Sequence, residues 1–106
     1  RIAILGDMFE MGEHAQDLHY ELGRYIGKKA NIDLIVTVGE FSKFIYQGAE
    51  KQGVSQEKIL HFQTQEDLML AIKEIIQPKD LVLVKASRGM RLEKTVEEIG
   101  KVKFNG

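Results

Sequence analysis

No cysteine occurs among the 106 residues. That excludes a disulfide framework and a thiolate metal site. Charge of one sign is also lacking: 15 Lys and Arg stand against 16 Asp and Glu, for a net charge of −1. Such a balance carries no electrostatic footprint for nucleic acid or an anionic membrane. Apolar runs are only a few residues long, whereas a helix that crosses a bilayer needs about 20. The opening Arg1-Ile2-Ala3-Ile4-Leu5-Gly6 has no basic stretch leading into a long apolar core, so it does not read as a signal peptide. It also lacks an initiator Met and starts directly on a strand pattern, as a piece of a longer protein would. A cytoplasmic setting is expected. Proline is found once, at Pro78.

What is present is an ordinary globular composition, 43% hydrophobic and 29% charged, in a length that suits one domain. Short apolar runs alternate with helical stripes. Ile2 to Leu5 is the first run, closed by Gly6. Leu18, Leu22, Tyr25 and Ile26 then recur at helical spacing. Leu34 to Val38 is the second run, stopped by Gly39. Phe41, Phe44, Ile45 and Gly48 mark the next helix, which ends at Gly53. Ile59 to Phe62 is a third, weaker strand. Thr64, with Asp67 three residues on, is a helix start. Leu68, Ile72, Ile75 and Ile76 form its apolar stripe, and Pro78 breaks it. Leu81 to Val84 is the fourth strand, and Leu92, Val96 and Ile99 mark a last helix face. The tail from Lys101 to Gly106 is either an edge strand or frayed.

Strands that are apolar at every residue are expected to be buried on both faces. Their alternation with helices implies crossovers and a parallel sheet. The expected fold is therefore a small doubly wound α/β domain over residues 1–106. Such sheets bind ligands beyond the carboxyl ends of their strands. Two of those ends carry chemistry: Gly6 to His14, and Lys85 to Met90.

In the first loop, Asp7 stands at the strand exit, where a carboxylate can accept from ribose hydroxyls or hold a cation. The plainer reading is an acid placed to suit a helix dipole. Glu10 and Glu13 fit a solvated loop. The second loop, Lys85-Ala86-Ser87-Arg88-Gly89, brings two cations, a hydroxyl and backbone N–H groups to a helix start. That set recognises carboxylate or phosphate. Its plainer reading is a basic loop with Ser87 as a cap. Lys85 ends a buried strand and must reach solvent or a partner.

Other signals fail on spacing. Gly23 to Lys29 lies inside a helix pattern and lacks the Ser or Thr of a phosphate loop. No G-x-G-x-x-G follows the first strand. His14 and His19 are five apart, so they do not share a helix face as a metal pair would; both read as structural. His61 reads as packing or surface. No metal site and no complete catalytic set can be assembled from these residues.

Two segments carry a family resemblance. Ile4-Leu5-Gly6-Asp7-Met8-Phe9-Glu10-Met11-Gly12, followed by His19 and Leu22-Gly23, is similar to the LGDM-x-E-L/M-G … H-x-x-L/V-G opening of one part of the Mur ligases, those that add D-alanyl-D-alanine. Leu83-Val84-Lys85-Ala86-Ser87-Arg88-Gly89-Met90-Arg91-Leu92-Glu93 resembles that family's LVKGSRGMRME. Val36-x-Val38-Gly39 and Gly48-Ala49 fall at its VG and GA positions. Ala86 departs from the family's usual Gly, and Leu92 replaces a Met.

The resemblance implies the C-terminal domain of a three-domain, ATP-dependent amide ligase of bacterial peptidoglycan synthesis. Its substrates would be ATP, D-alanyl-D-alanine and UDP-N-acetylmuramoyl-tripeptide. Magnesium and the phosphate loop would belong to a central ATPase domain. An N-x-NP segment would precede Arg1, so the chain would lack its first βα unit. The resemblance makes Asp7 the residue that contacts the ATP ribose, and sets Lys85, Ser87 and Arg88 against the incoming dipeptide. In the implied reaction the precursor carboxylate takes the γ-phosphoryl group, and the dipeptide amine then displaces phosphate. Two other readings stay open: a free-standing α/β module that binds nucleotide or carboxylate without catalysis, and a phospho-receiver domain. The second fits poorly, because Gly39 and Glu40 follow the central strand where a receiver needs its acceptor Asp.

Overall fold

The structure is a computed structural model that describes residues 1–8, 12–29 and 31–85. The described residues form four strands, β1 (Ile2–Gly6), β2 (Leu34–Val38), β3 (Ile59–Phe62) and β4 (Val82–Lys85), and three α-helices, α1 (Ala15–Gly27), α2 (Ser42–Lys51) and α3 (Gln65–Ile75). Short 3-10 turns, Gly12–His14 and Gln56–Lys58, lead into α1 and β3. The expected last helix over Leu92, Val96 and Ile99, the tail from Lys101 and the Ala86 position lie outside the described residues.

All pairings are parallel and the strand order is β3-β2-β1-β4. Alternate residues of β1 and β2 point to opposite faces, and each face gathers its own core. On one side Ile2, Ile4, Val36 and Val38 pack with Leu68, Ile72 and Ile76 at the α3 layer. On the other, Ala3, Leu5, Ile35 and Ile59 meet Ile45 and Ala49 of α2, with Leu22 and Ile26 of α1 beside them. Helices thus cover both faces, as the buried β1 and β2 require. Each buried Ile or Leu is worth about 1.5–3 kcal/mol relative to exposure, so these two layers hold the sheet.

The cap of α3 forms as expected: Thr64 Oγ1 accepts from the Asp67 N–H at 3.2 Å. The helix ends at Ile75, ahead of Pro78. Two expectations need correction. First, Leu18 and Tyr25 do not face the core; they are 47% and 56% exposed. The fully buried positions of α1 are His19 and Gly23. The reason is the close approach of α2. A Cβ at Gly23 would fall on the Ile45 carbonyl, and one at Gly48 would fall on the Tyr20 carbonyl. Backbone meets backbone there, so the contact selects glycine instead of large apolar side chains.

Second, β4 is not buried on both faces. Its pattern alternates: Val82 and Val84 pack with the α3 layer, whereas Leu83 is 56% exposed and Leu81, just before the strand, 61%. Helices α1 and α2 pack on β1, β2 and β3, and Leu81 and Leu83 border an open cavity with Tyr25 and Ile26 of α1. Replacing Gly48 with Ala should force α1 and α2 apart and cost about 2 kcal/mol, which for a domain this size lowers Tm by on the order of 10 °C. A thermal melt of Gly48→Ala that overlays the unaltered chain would disprove the close contact.

Candidate functional site

The strand order reverses at β1. One crossover, through α1, carries the chain to β2 on one side; β4 joins the sheet on the other side after α3. In open α/β sheets that reversal opens a crevice at the carboxyl ends of the strands. Here Leu5 of β1 pairs with Lys85 of β4, so the two strand ends that precede the expected site loops lie side by side. Lys85 is exposed at its strand end, as a lysine closing an apolar strand must be. Ser87, Arg88 and Glu10 lie outside the described residues.

Asp7 follows β1 and is only 5% exposed. Its carboxylate does not stand free. The Ser42 N–H donates to Oδ1 at 2.7 Å, and the Ser42 hydroxyl donates to the same oxygen at 3.0 Å. Ser42 is the first residue of α2, and Phe41 before it provides no side-chain cap. Asp7 therefore caps the N-terminus of α2 from another element, satisfying a backbone donor that the helix itself leaves unpaired. The helix-dipole role weighed for Asp7 is present, but on α2, not on the helix that follows it in sequence. Gly39 makes room for this: its φ is +119°, and a Cβ there would lie 2.5 Å from Asp7 Oδ1.

His19, read from the sequence as a structural helix histidine, has partners that spacing did not reveal. It is 1% exposed. The Met8 N–H donates to its Nε2 at 3.0 Å, and Nδ1 lies 2.6 Å from the Ala15 carbonyl oxygen. Its ring stacks on Phe41 with centroids 5.8 Å apart. No local signal gave these partners, because the apolar stripe of α1 pointed to Leu18, Leu22, Tyr25 and Ile26. His14, in contrast, is exposed.

His61 of β3 is half-buried behind Thr37 and Tyr46. Thr37 Oγ1 lies 2.7 Å from its Nδ1, and the Tyr46 ring meets it edge-on at 6.4 Å. Nε2 is enclosed with no hydrogen-bond partner among the described residues. Burial, the largest influence, lowers the imidazole below its ordinary value. The nearby Gln63 side chain and the Asp7 carboxylate pull the other way, and Lys43 adds to the lowering.

Comparison with known proteins settles the family. Residues 1–88 match the model for the Mur ligase, glutamate ligase domain. The chain belongs to the Mur ligase family. UDP-N-acetylmuramoyl-tripeptide–D-alanyl-D-alanine ligase of Bacillus subtilis is 37% identical over 99 residues, a match covering 93% of this chain and 21% of the relative. The ligase of the same name from Rickettsia prowazekii is 33% identical, covering 92% of this chain and 20% of that protein. A crystal structure of MurF from Acinetobacter baumannii superposes with a TM-score of 0.77 at 27% identity, over 92% of this chain and 21% of that one. The chain thus spans about a fifth of the length of these Mur ligases. No described helix is long and apolar enough to cross a membrane.

Two outcomes test the geometry. Gly39→Ala should displace the Asp7 carboxylate and unfold the domain at lower temperature, by about 1–3 kcal/mol of overpacking and backbone strain; an unchanged melt would refute that packing. For His61 the sign follows from burial. The unfolded imidazole, near pH 6.5, takes its proton before the folded one, so stability falls as pH drops from about 7 and keeps falling until the folded group is protonated. A His61→Gln variant should show a shallower decline in Tm between about pH 7 and 5. Parallel declines would remove His61 as a source.

Proposed function

We propose that this chain acts as the C-terminal domain of a three-domain ligase that uses ATP to join D-alanyl-D-alanine to UDP-N-acetylmuramoyl-tripeptide, in the bacterial cytoplasm. In that reading residues 1–106 form one domain. A central domain carries the phosphate loop, and an N-terminal domain holds the UDP-linked precursor. The observation that carries the reading is the Leu5–Lys85 register: it sets the Asp7 and Lys85 strand ends next to each other at the reversal of strand order, in a chain of Mur ligase descent.

Asp7 binds the ribose of ATP. Ser42 engages Oδ1 alone, which leaves Oδ2 outside the capping pair, and a carboxylate oxygen accepts readily from sugar hydroxyls. Lys85, Ser87 and Arg88 meet the carboxylate of D-alanyl-D-alanine. An exposed ammonium at a strand end supports this for Lys85; for Ser87 and Arg88 the support is the chemistry of a hydroxyl and a guanidinium fork.

In the same reading magnesium is bound mainly by the central domain. ATP supplies the phosphoryl group that activates the precursor carboxylate. This domain's share is to bind, to orient the dipeptide amine and, on closing over the central domain, to exclude water. None of that completes the reaction without the phosphate loop, whose pattern is missing from this sequence.

The isolated 106-residue chain should therefore release no phosphate when mixed with ATP, magnesium, UDP-tripeptide and D-alanyl-D-alanine. In the ligase that carries the domain, Asp7→Asn should raise the ATP KM about tenfold, and Arg88→Ala should raise the D-alanyl-D-alanine KM to a similar degree. Turnover by the isolated chain, or two variants with unaltered KM values, would contradict this assignment.

A further inference from the structure

We propose that His19 is a positioning residue for the nucleotide: it fixes the Asp7 carboxylate through the Met8 backbone and does not touch the ligand. This rests on the reading of Asp7 as the ribose contact. On the β2 side the β1 ladder ends at Gly6, which pairs with Val38. Beyond it, among the described residues, no strand pairing holds the direction of the chain. Two attachments take over at successive residues. Asp7 is held by its side chain on Ser42 of α2, and Met8 by its N–H on His19 of α1.

The ring that receives Met8 is itself oriented. A carbonyl oxygen only accepts, so the 2.6 Å contact with Ala15 puts the proton on Nδ1 and leaves the Nε2 lone pair for Met8. Phe41 stacks on the ring face at an interplanar angle of 28°. Phe41 directly precedes Ser42, so the same turn orients both holders. The strand exit is gripped between α1 and α2, whose backbones touch at Gly23 and Gly48 and cannot slide independently.

Packing alone does not call for histidine here. At 1% exposure an apolar ring would fill the space without desolvating two nitrogens. What imidazole adds is an acceptor for one N–H, at the residue next to Asp7. Ligand-binding groups must be held to within about 0.5 Å, and the groups behind them set that tolerance.

The test uses the ligase that carries this domain, assayed at steady state with ATP, magnesium, UDP-tripeptide and D-alanyl-D-alanine. His19→Phe keeps a ring on Phe41 and removes the acceptor. His19→Gln returns an acceptor oxygen. His19→Phe is expected to raise the ATP KM about tenfold, with kcat within about twofold and the dipeptide KM unmoved, and His19→Gln to recover most of the loss. Amide exchange at Met8 should speed up in the first variant and slow again in the second. Should His19→Phe fail to fold, Phe41→Leu, which loosens the ring from its other face, should give the same ATP-only rise at about threefold. Wild-type ATP KM in His19→Phe, or in Phe41→Leu where the former does not fold, overturns the proposal. If Asp7→Asn still raises that KM, the ribose reading survives alone. If Asp7→Asn leaves it unchanged, the ribose reading falls and the role of His19 falls with it.

Discussion

The carboxylate of Asp7 on the first N–H of α2 ties the first βα unit to the second. A buried helix N-terminus leaves donors that water cannot reach, and a buried carboxylate is costly unless it accepts from such donors. Each solves the problem of the other at 2.7 Å. Much else follows from that bond. Gly39 must lack a side chain, because its Cβ position is occupied by the Asp7 carboxylate. Ser42 must be small and must carry a hydroxyl, since it is fully buried and donates twice to the same oxygen. The exit of β1, where the proposed nucleotide contact lies, is fixed relative to the β2–α2 turn before any ligand arrives.

The frame of the fold was legible because it is written in local patterns. Apolar runs closed by Gly6 and Gly39 marked β1 and β2, and the stripe through Leu68 and Ile72 marked α3. Thr64 announced its cap through a partner three residues away. The reversal of strand order was implied only as a doubly wound class; which strands adjoin at it depends on pairings between residues 80 positions apart, such as Leu5 with Lys85. Where local pattern misled, a neighbouring element had intervened. Leu18 has helical spacing, yet α2 approaches the adjacent face of α1, so His19 and Gly23 are buried in its place. Leu83 belongs to an apolar run, yet it lies in the edge strand of the described sheet and is more than half exposed.

The placement of the candidate site was half legible for the same reason. The strand-end positions of Asp7 and Lys85 follow from periodicity. The groups that hold Asp7 and Met8 do not. Ser42 is 35 residues from Asp7, and His19 is 11 from Met8; neither spacing belongs to any recurrent local motif. A histidine's partners are decided by where its ring is packed, and that is a property of the assembled helices.

The contact between α1 and α2 has a mechanical meaning. Where side chains separate two helices, a push on one is partly absorbed by rotamer changes before it reaches the other. At Gly23 and Gly48 nothing stands between the backbones to yield. The two helices are coupled backbone to backbone, so a displacement of the turn before α2 presses directly on α1. If this domain swings as it works, its proposed nucleotide-facing edge travels as a rigid body, and the flexing has to occur elsewhere in the polypeptide.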